Sequence, residues 1–199
     1  TYNNEKEIIP CLSTLIEYTR GLNIEIYVFD NHSEDNTVAL IRKYFPEVHV
    51  LQSDENHGFG YGHNQILRCL TSKYHMVVNP DIQFARDTVA KLERFMEHYP
   101  NVGIVTPKIK NMDESEQLLP KKDPKISYVI LSKFKPFHHF RDQYTRAEEE
   151  FLKPARILSS TGCFFMIRTD VFKENHGFDE RFFMYFEDAD LSRRVRRKK

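Results

Sequence analysis

The stretch Tyr74–Asp81 reads Tyr-His-Met-Val-Val-Asn-Pro-Asp, a short apolar run that stops at an Asn-Pro-Asp. Met76, Val77 and Val78 have the character of the end of a buried strand, and Pro80, with no N–H to give to a ladder, ends it. Pro80 also biases Asn79 toward extended backbone, which leaves Asn79 and Asp81 projecting beyond the carboxyl edge of a sheet. Open α/β sheets bind ligands at that edge. A hard carboxylate there suits a divalent cation carrying phosphate oxygens, since Mg²⁺ takes one or two carboxylates plus substrate phosphates. By itself the tripeptide is better read as a turn, and the rest of the chain has to reverse that reading.

On either side of this stretch, strand-like and helix-like segments alternate. Upstream, Ile9, Leu12, Leu15 and Ile16 recur at helical spacing to about Arg20, with Gly21 as the stop. A strand over Ile24–Phe29 ends on Asp30 and the polar loop Asn31–Asn36. A helix over Thr37–Tyr44, a strand over Val48–Leu51, a glycine-bearing loop over Asn56–Asn64 and a helix over Gln65–Leu70 lead into Tyr74–Asn79. Downstream come a helix over Arg86–His98 and a strand over Val102–Thr106. The alternation predicts an α/β fold, a mostly parallel, doubly wound sheet with helices on both faces. Thr1-Tyr2-Asn3-Asn4 reads as the loop leaving a first strand that lies largely upstream. The chain begins without methionine and closes on Arg-Arg-Val-Arg-Arg-Lys-Lys inside an expected helix, so it is expected to be a fragment trimmed at both ends.

From Lys108 to about Lys153 the pattern loosens, with Pro107, Pro120, Pro124 and Pro136 among mixed charge and aromatics. This is expected to be an insertion. Order resumes with a buried strand over Cys163–Ile167 after Thr161-Gly162. A short helix over Asp170–Lys173, an aromatic loop over Gly177–Tyr185 and a final helix opened by Glu187-Asp188-Ala189-Asp190-Leu191 complete the chain.

At 199 residues, 40% hydrophobic and 29% charged, the chain is long enough for one domain with a real core. Lys+Arg and Asp+Glu both number 29, so no global basic field advertises nucleic acid. Cys11, Cys69 and Cys163 are far apart and form neither a disulfide framework nor a CxxC metal pair, which suits a reducing cytoplasm. No apolar run approaches the ~20 residues that span a bilayer, and no signal-peptide pattern opens the chain.

Five polar clusters fall at expected loops or strand ends: Thr1–Asn4, Asp30-Asn31, Asn56–Asn64, Asn79–Asp81 and Glu187–Asp190. In a parallel sheet the first four emerge on one edge. Asp30 can accept hydrogen bonds from a base or ribose, or it can cap the following loop, and the sequence supports both. Gly58, Gly60 and Gly62 let backbone N–H groups approach a phosphate ahead of a helix. They do not form the dinucleotide fingerprint, which needs its glycines directly after the first strand of a βαβ unit. His138-His139 has no acidic partner placed nearby and is read as surface. Phe182-Phe183-Met184-Tyr185-Phe186 offers an apolar wall before Glu187-Asp188-x-Asp190. There an ionised carboxylate could take a hydroxyl proton as general base; the alternative is an ordinary acidic first helical turn over core aromatics.

Together these residues resemble the inverting GT-A glycosyltransferases of the large bacterial family that includes rhamnosyltransferase-like enzymes. The segments that carry the resemblance are Thr1-Tyr2-Asn3, Val28-Phe29-Asp30-Asn31-x-Ser33-x-Asp35-x-Thr37, Asn56-x-Gly58-x-Gly60-x-Gly62-x-Asn64, Asn79-Pro80-Asp81, Gly162-Cys163-Phe164, and Gly177-Phe178-Asp179-Glu180-x-Phe182-Phe183-x-Tyr185-x-Glu187-Asp188-x-Asp190-Leu191. They follow the family's order and omit roughly Lys108–Lys153. The resemblance implies a single GT-A-like domain, residues 1–107 binding nucleotide, 108–153 a variable insertion and 154–199 carrying acceptor and catalysis. It implies that Thr1, Tyr2, Asn3 and Asp30 hold base and ribose, with Asn56, Gly58, Asn64 and Asn79 along the nucleotide and diphosphate. Asp81 is then the ligand of a divalent metal, Mg²⁺ or Mn²⁺, Asp188 the base, and Glu187 the residue beside it that helps place the acceptor. Asn79 departs from the family's Asp-x-Asp form and adds no charge.

The implied reaction moves a sugar from a nucleoside-diphosphate sugar, a UDP- or dTDP-sugar, to a saccharide or lipid-linked acceptor with inversion. Two other functions compete: a sugar-phosphate nucleotidyltransferase, whose Gly-rich signature is missing at Thr1–Asn4, and an inactive carbohydrate-binding or scaffold relative. Lys121, Lys122, Lys125, Lys133, Lys135, Arg141 and Arg146 interleave with Tyr128, Val129, Ile130, Leu131, Phe134, Phe137 and Phe140. That mixture suits an anionic membrane surface, though aromatics covering the sheet beneath solvated lysines are the slightly favoured reading. The expected location is cytoplasmic, with peripheral contact at the inner face of the membrane.

Overall fold

The structure, a computed structural model, describes residues 1–117, 122 and 153–197. Its elements run α1 (Ile8–Tyr18), β1 (Tyr27–Asp30), α2 (Thr37–Tyr44), β2 (His49–Gln52), α3 (Phe59–Asn64), β3 (Tyr74–Val78), α4 (Thr88–His98), β4 (Ile104–Val105), β5 (Phe164–Arg168), α5 (Thr169–Glu174) and α6 (Glu187–Arg197). β1 pairs parallel to β2, Tyr27 opposite His49 and Asp30 opposite Gln52. Thr1 lies along the other edge of β1: its N–H donates to Phe29 O at 2.6 Å and its carbonyl accepts from Asn31 N at 2.8 Å.

The second sheet has the order β3-β5-β4. β5 is antiparallel to both neighbours, with Val78 opposite Phe164 and Ile104 opposite Ile167. β3 and β4 therefore point the same way, as strands joined through a helix should, while β5 inserts in reverse. It arrives through the long connection after β4, so the right-handed crossover that makes successive strands parallel does not govern it.

β5 is buried on both faces and so organises the core. Phe165 and Ile167 meet Ile66, Leu70, Val77, Phe172, Phe178, Leu191 and Val195, which places α5 and α6 on that side. Phe164 and Met166 meet Leu15, Phe84, Val89, Leu92 and Met96, which places α1 and α4 on the other. Val89, Leu92 and Met96 sit three and four residues apart, one face of α4. A third cluster, Ile8, Leu12, Ile41, Phe45 and Val48, packs α1 and α2 over β1 and β2. Helices on both faces of the sheet are thus as anticipated. Truncating a fully buried ring such as Phe165 to Ala would cost about 3–5 kcal/mol.

Two expectations change. The helix expected over Gln65–Leu70 is instead α3, Phe59–Asn64, and residues 65–70 continue as turns, with Leu70 N donating to Ile66 O at 3.1 Å. The start of the irregular segment is a tight hairpin, in which Lys110 bridges Glu116 and Asp113 Oδ1 accepts from Ser115 N at 3.0 Å. β5, from residues 154–199, lies between β3 and β4 of residues 1–107. His138, His139 and the lysine-aromatic series, apart from Lys122, lie outside the described residues. Among the described residues no helix is long and apolar enough to cross a membrane.

Candidate active site

Pro80 ends β3 as its chemistry requires. Asn79 N donates to Cys163 O at 2.8 Å, one step beyond the Val78–Phe164 pair, and Ile82 N then donates to Asn79 O at 3.2 Å. The Asn-Pro-Asp is therefore a turn and a strand tip at once. Asp81 is exposed there, and its carboxylate has no hydrogen bond or ion pair among the described residues. Beside it, the Cys11 thiol lies 3.8 Å from Asn79 O and is pushed up to about 12, first by burial and then by the charge of Asp81. No group of three His, Cys, Asp or Glu side chains forms a metal cage among the described residues. A single hard carboxylate without a competing partner fits a Mg²⁺ or Mn²⁺ ion held mainly by phosphate oxygens and water.

Cys163 is the residue next to Gly162, and Gly162 N donates to Asp188 Oδ2 at 2.8 Å. Asp188 Oδ1 accepts from Ala189 N at 2.7 Å in the first turn of α6. Burial raises the Asp188 carboxyl above the usual aspartate range, and these N–H donors pull it back by favouring the ionised form. One helical turn further along α6, Ser192 Oγ accepts from Ser160 N at 3.1 Å, so residues 160–162 run along one face of the helix. Glu187 is only 6% exposed, its Oε2 has no hydrogen-bond partner, and burial raises its carboxyl, with the neighbouring Asp188 charge adding to the rise. Glu187 therefore stands beside Asp188 as a buried carboxyl with one oxygen unclaimed. The expected apolar wall is corrected: Phe183, Met184, Tyr185 and Phe186 are exposed, and Tyr185 and Phe186 both have φ of +70°.

On the other side of the site, Asp30 takes the capping role. It is fully buried, and its two oxygens accept from Ser33 N at 3.1 Å and Ser33 Oγ at 2.5 Å. Asn3, in the left-handed region, accepts from Glu34 N with its Oδ1 at 2.8 Å and so pins the neighbouring loop. Thr1 Oγ1 donates to Asn4 Oδ1 at 2.9 Å, and Tyr2 is exposed. Asn56 Oδ1 accepts from Gly58 N at 2.9 Å, which shapes the approach to α3.

The glycines serve packing. Gly58 has φ of +90°, and a Cβ there would lie 2.2 Å from Phe183 O. Gly60 and Gly62 lie inside α3, where a Cβ would come within 2.9 Å of Phe178 Cβ and 2.8 Å of Phe29 Cδ1. Asn64 ties α3 to the loop after α5: Nδ2 donates to Phe178 O and Glu180 Oε1 while Oδ1 accepts from Phe178 N, each at 2.9 Å. A residue not singled out as a contact is Asn31. Buried at the tip of β1, it accepts from His57 N at 3.2 Å and donates to Gly58 O at 3.4 Å. Its signal was its position directly after the strand-ending Asp30.

The α/β sheet with helices on both faces is the architecture of a GT-A-like fold. Residues 1–175 match the family Glycosyl transferase family 2, and the chain belongs to that family. It is 27% identical over 190 residues to the N-acetylglucosaminyl-diphospho-decaprenol L-rhamnosyltransferase of Mycobacterium tuberculosis, covering 86% of this chain and 61% of that protein. It is 26% identical over 182 residues to the low-salt glycan biosynthesis hexosyltransferase Agl10 of Haloferax volcanii, covering 87% of this chain and 53% of that protein. Among solved structures, S. aureus TarS in complex with UDP superposes with a TM-score of 0.68 at 19% identity, over 98% of this chain and 52% of that one. The mannosyltransferase PcManGT from Pyrobaculum calidifontis, in complex with GDP-Man and Mn²⁺, gives 0.66 at 17%, over 98% and 49%. This chain thus spans about half to three fifths of the length of these relatives.

Proposed function

We propose that this chain carries the donor site and the base of an inverting glycosyltransferase, which moves a sugar from a nucleoside-diphosphate sugar to an acceptor hydroxyl. The observation that carries this reading is the link between the two acids. The Asn79–Cys163 pairing joins the tip bearing Asp81 to the start of β5, and Gly162 in turn holds Asp188. An exposed, unclaimed carboxylate at the end of β3 and a half-buried, fixed one in the first turn of α6 are therefore linked through residues 162 and 163.

Each Asp188 oxygen accepts one backbone N–H and keeps a lone pair for an incoming hydroxyl. In this mechanism Asp188 takes the hydroxyl proton as the acceptor oxygen attacks the anomeric carbon from the face opposite the diphosphate. The bond from that carbon to the diphosphate oxygen breaks, and configuration inverts. Asp81 would hold a divalent ion, Mg²⁺ or Mn²⁺, which neutralises charge on the diphosphate when bound. The leaving group needs no proton, so a second acid of the kind used in glycoside hydrolysis is unnecessary.

A UDP- or dTDP-sugar donor and a saccharide or lipid-linked acceptor are part of this reading. It is supported by the UDP complex of TarS and by the lipid diphosphate in the name of the mycobacterial relative. It also implies work on the cytoplasmic side, peripheral to a membrane, where such acceptors are held. Family membership disfavours the nucleotidyltransferase alternative. Asp188→Asn is the test: the amide keeps the shape but cannot accept a proton. Transfer should fall by about 10²–10⁴ with donor affinity retained, and undiminished transfer would remove Asp188 as base.

A further inference from the structure

Gly162 lies between the carboxylate of Asp188 and the ring of Phe59. Its N–H donates to Asp188 Oδ2, and its Cα faces the ring of Phe59, so that a Cβ added there would lie 3.2 Å from Phe59 Cζ, 3.3 Å from Cε1 and 3.7 Å from Asp188 Cβ. Phe59 is itself fixed. Its N–H donates to Phe183 O at 3.0 Å, and its ring meets Phe178 at 5.5 Å and His63 at 4.7 Å between centroids. On the opposite side, residues 160–162 are held to α6 by Ser160–Ser192 as well as by Gly162–Asp188.

We propose, resting on the reading of Asp188 as base, that Gly162 is the positioning residue of that carboxylate and that the Phe59 ring sets how closely it approaches. A carboxylate that accepts a backbone N–H is stabilised in its ionised form, and that bond also fixes which lone pairs face the acceptor. Ala189 N, on the same helix as Asp188, moves with it and cannot fix its place relative to the sheet. Gly162 directly precedes Cys163, whose carbonyl accepts from Asn79 N, so its N–H registers the base against the strand tip that bears Asp81. Any side chain at 162 must push against Phe59, which lengthens the bond to Asp188.

Two measurements test this. In the unaltered protein, the Gly162 amide proton should shift with pH at the same midpoint as the Asp188 carboxyl carbon, both followed by NMR. An amide that ignores that titration would overturn the proposal. In Gly162→Ala the Asp188 midpoint and the acid limb of the kcat/KM profile should move up by about one pH unit, about a tenfold loss at a fixed acidic pH, with donor affinity unchanged. Adding Phe59→Leu, which removes the ring atoms nearest 162, should return both toward the parent. An unmoved limb in Gly162→Ala, or a double variant no nearer the parent, would overturn it. Should Asp188→Asn prove fully active, the base reading fails, and the NMR midpoints still report whether Gly162 governs that carboxyl.

Discussion

At the level of single residues, the two strand-tip aspartates differ in what claims them. Asp30 is buried with both oxygens on Ser33, and removing it would undo a loop. Asp81 is exposed and unclaimed by any described residue, so its loss should leave the fold alone. Asp81→Ala is therefore expected to weaken UDP binding measured with Mn²⁺ by about tenfold or more while metal-free affinity stays unchanged, the pattern of a lost metal ligand. Calorimetric titration with and without the ion checks it, and an equal loss in both conditions would show that Asp81 touches the nucleotide directly. The strand end that exposes Asp81 was legible from Pro80, because proline chemistry is local, whereas a metal role was not, because the tripeptide by itself reads as a turn. The role of Asp30 was not, since only the neighbouring geometry chooses between a ligand and a cap.

Among the elements, α3 shows where sequence signals fail and why. Thr37–Tyr44 was legible residue for residue because its apolar positions recur at helical spacing. Phe59–Asn64 contains two glycines and reads as loop, yet it is a helix, held by Phe178 and Phe29 pressing onto the glycine faces. Two effects oppose each other at Gly60. Alanine should favour a helix over glycine by about 1 kcal/mol, but its Cβ would lie 2.9 Å from Phe178 Cβ, and overpacking costs about 1–3 kcal/mol. Packing should win, so Gly60→Ala is expected to lower the urea midpoint, and a rise would mean that the Phe178 loop yields. The reversed direction of β5 was illegible for a related reason. An apolar run states that a strand is buried and says nothing about which way its neighbours run.

Across the whole molecule, the two ends of the sequence meet in one core, and a pair of histidines records the cost of that burial. His75 on β3 stacks on Phe172 of α5 with centroids 5.0 Å apart, is 7% exposed, and has an Nε2 with no hydrogen-bond partner. His63 on α3 lies 6.4 Å from it between centroids. Burial holds His75 down at about 4, and burial together with the neighbouring His75 holds His63 down at about 3. An unfolded histidine titrates near 6.5, so as pH falls below that value the unfolded chain takes up protons that the folded one refuses. Stability from these residues is fully present above about pH 6.5 and is lost progressively as pH falls toward their folded values. Between pH 7 and pH 5 each should remove about 2 kcal/mol. The raised carboxyls of Glu187 and Asp188 act in the opposite sense, gaining protons more readily when folded, so the total pH dependence cannot isolate the histidines. A difference between variants can. His75→Phe keeps an aromatic ring against Phe172 and removes one titrating group, so the fall in unfolding free energy from pH 7 to pH 5 should shrink by about 2 kcal/mol relative to the parent. Parallel pH profiles for parent and variant, measured by urea unfolding, would mean that His75 is protonated as easily in the folded protein as in the unfolded chain.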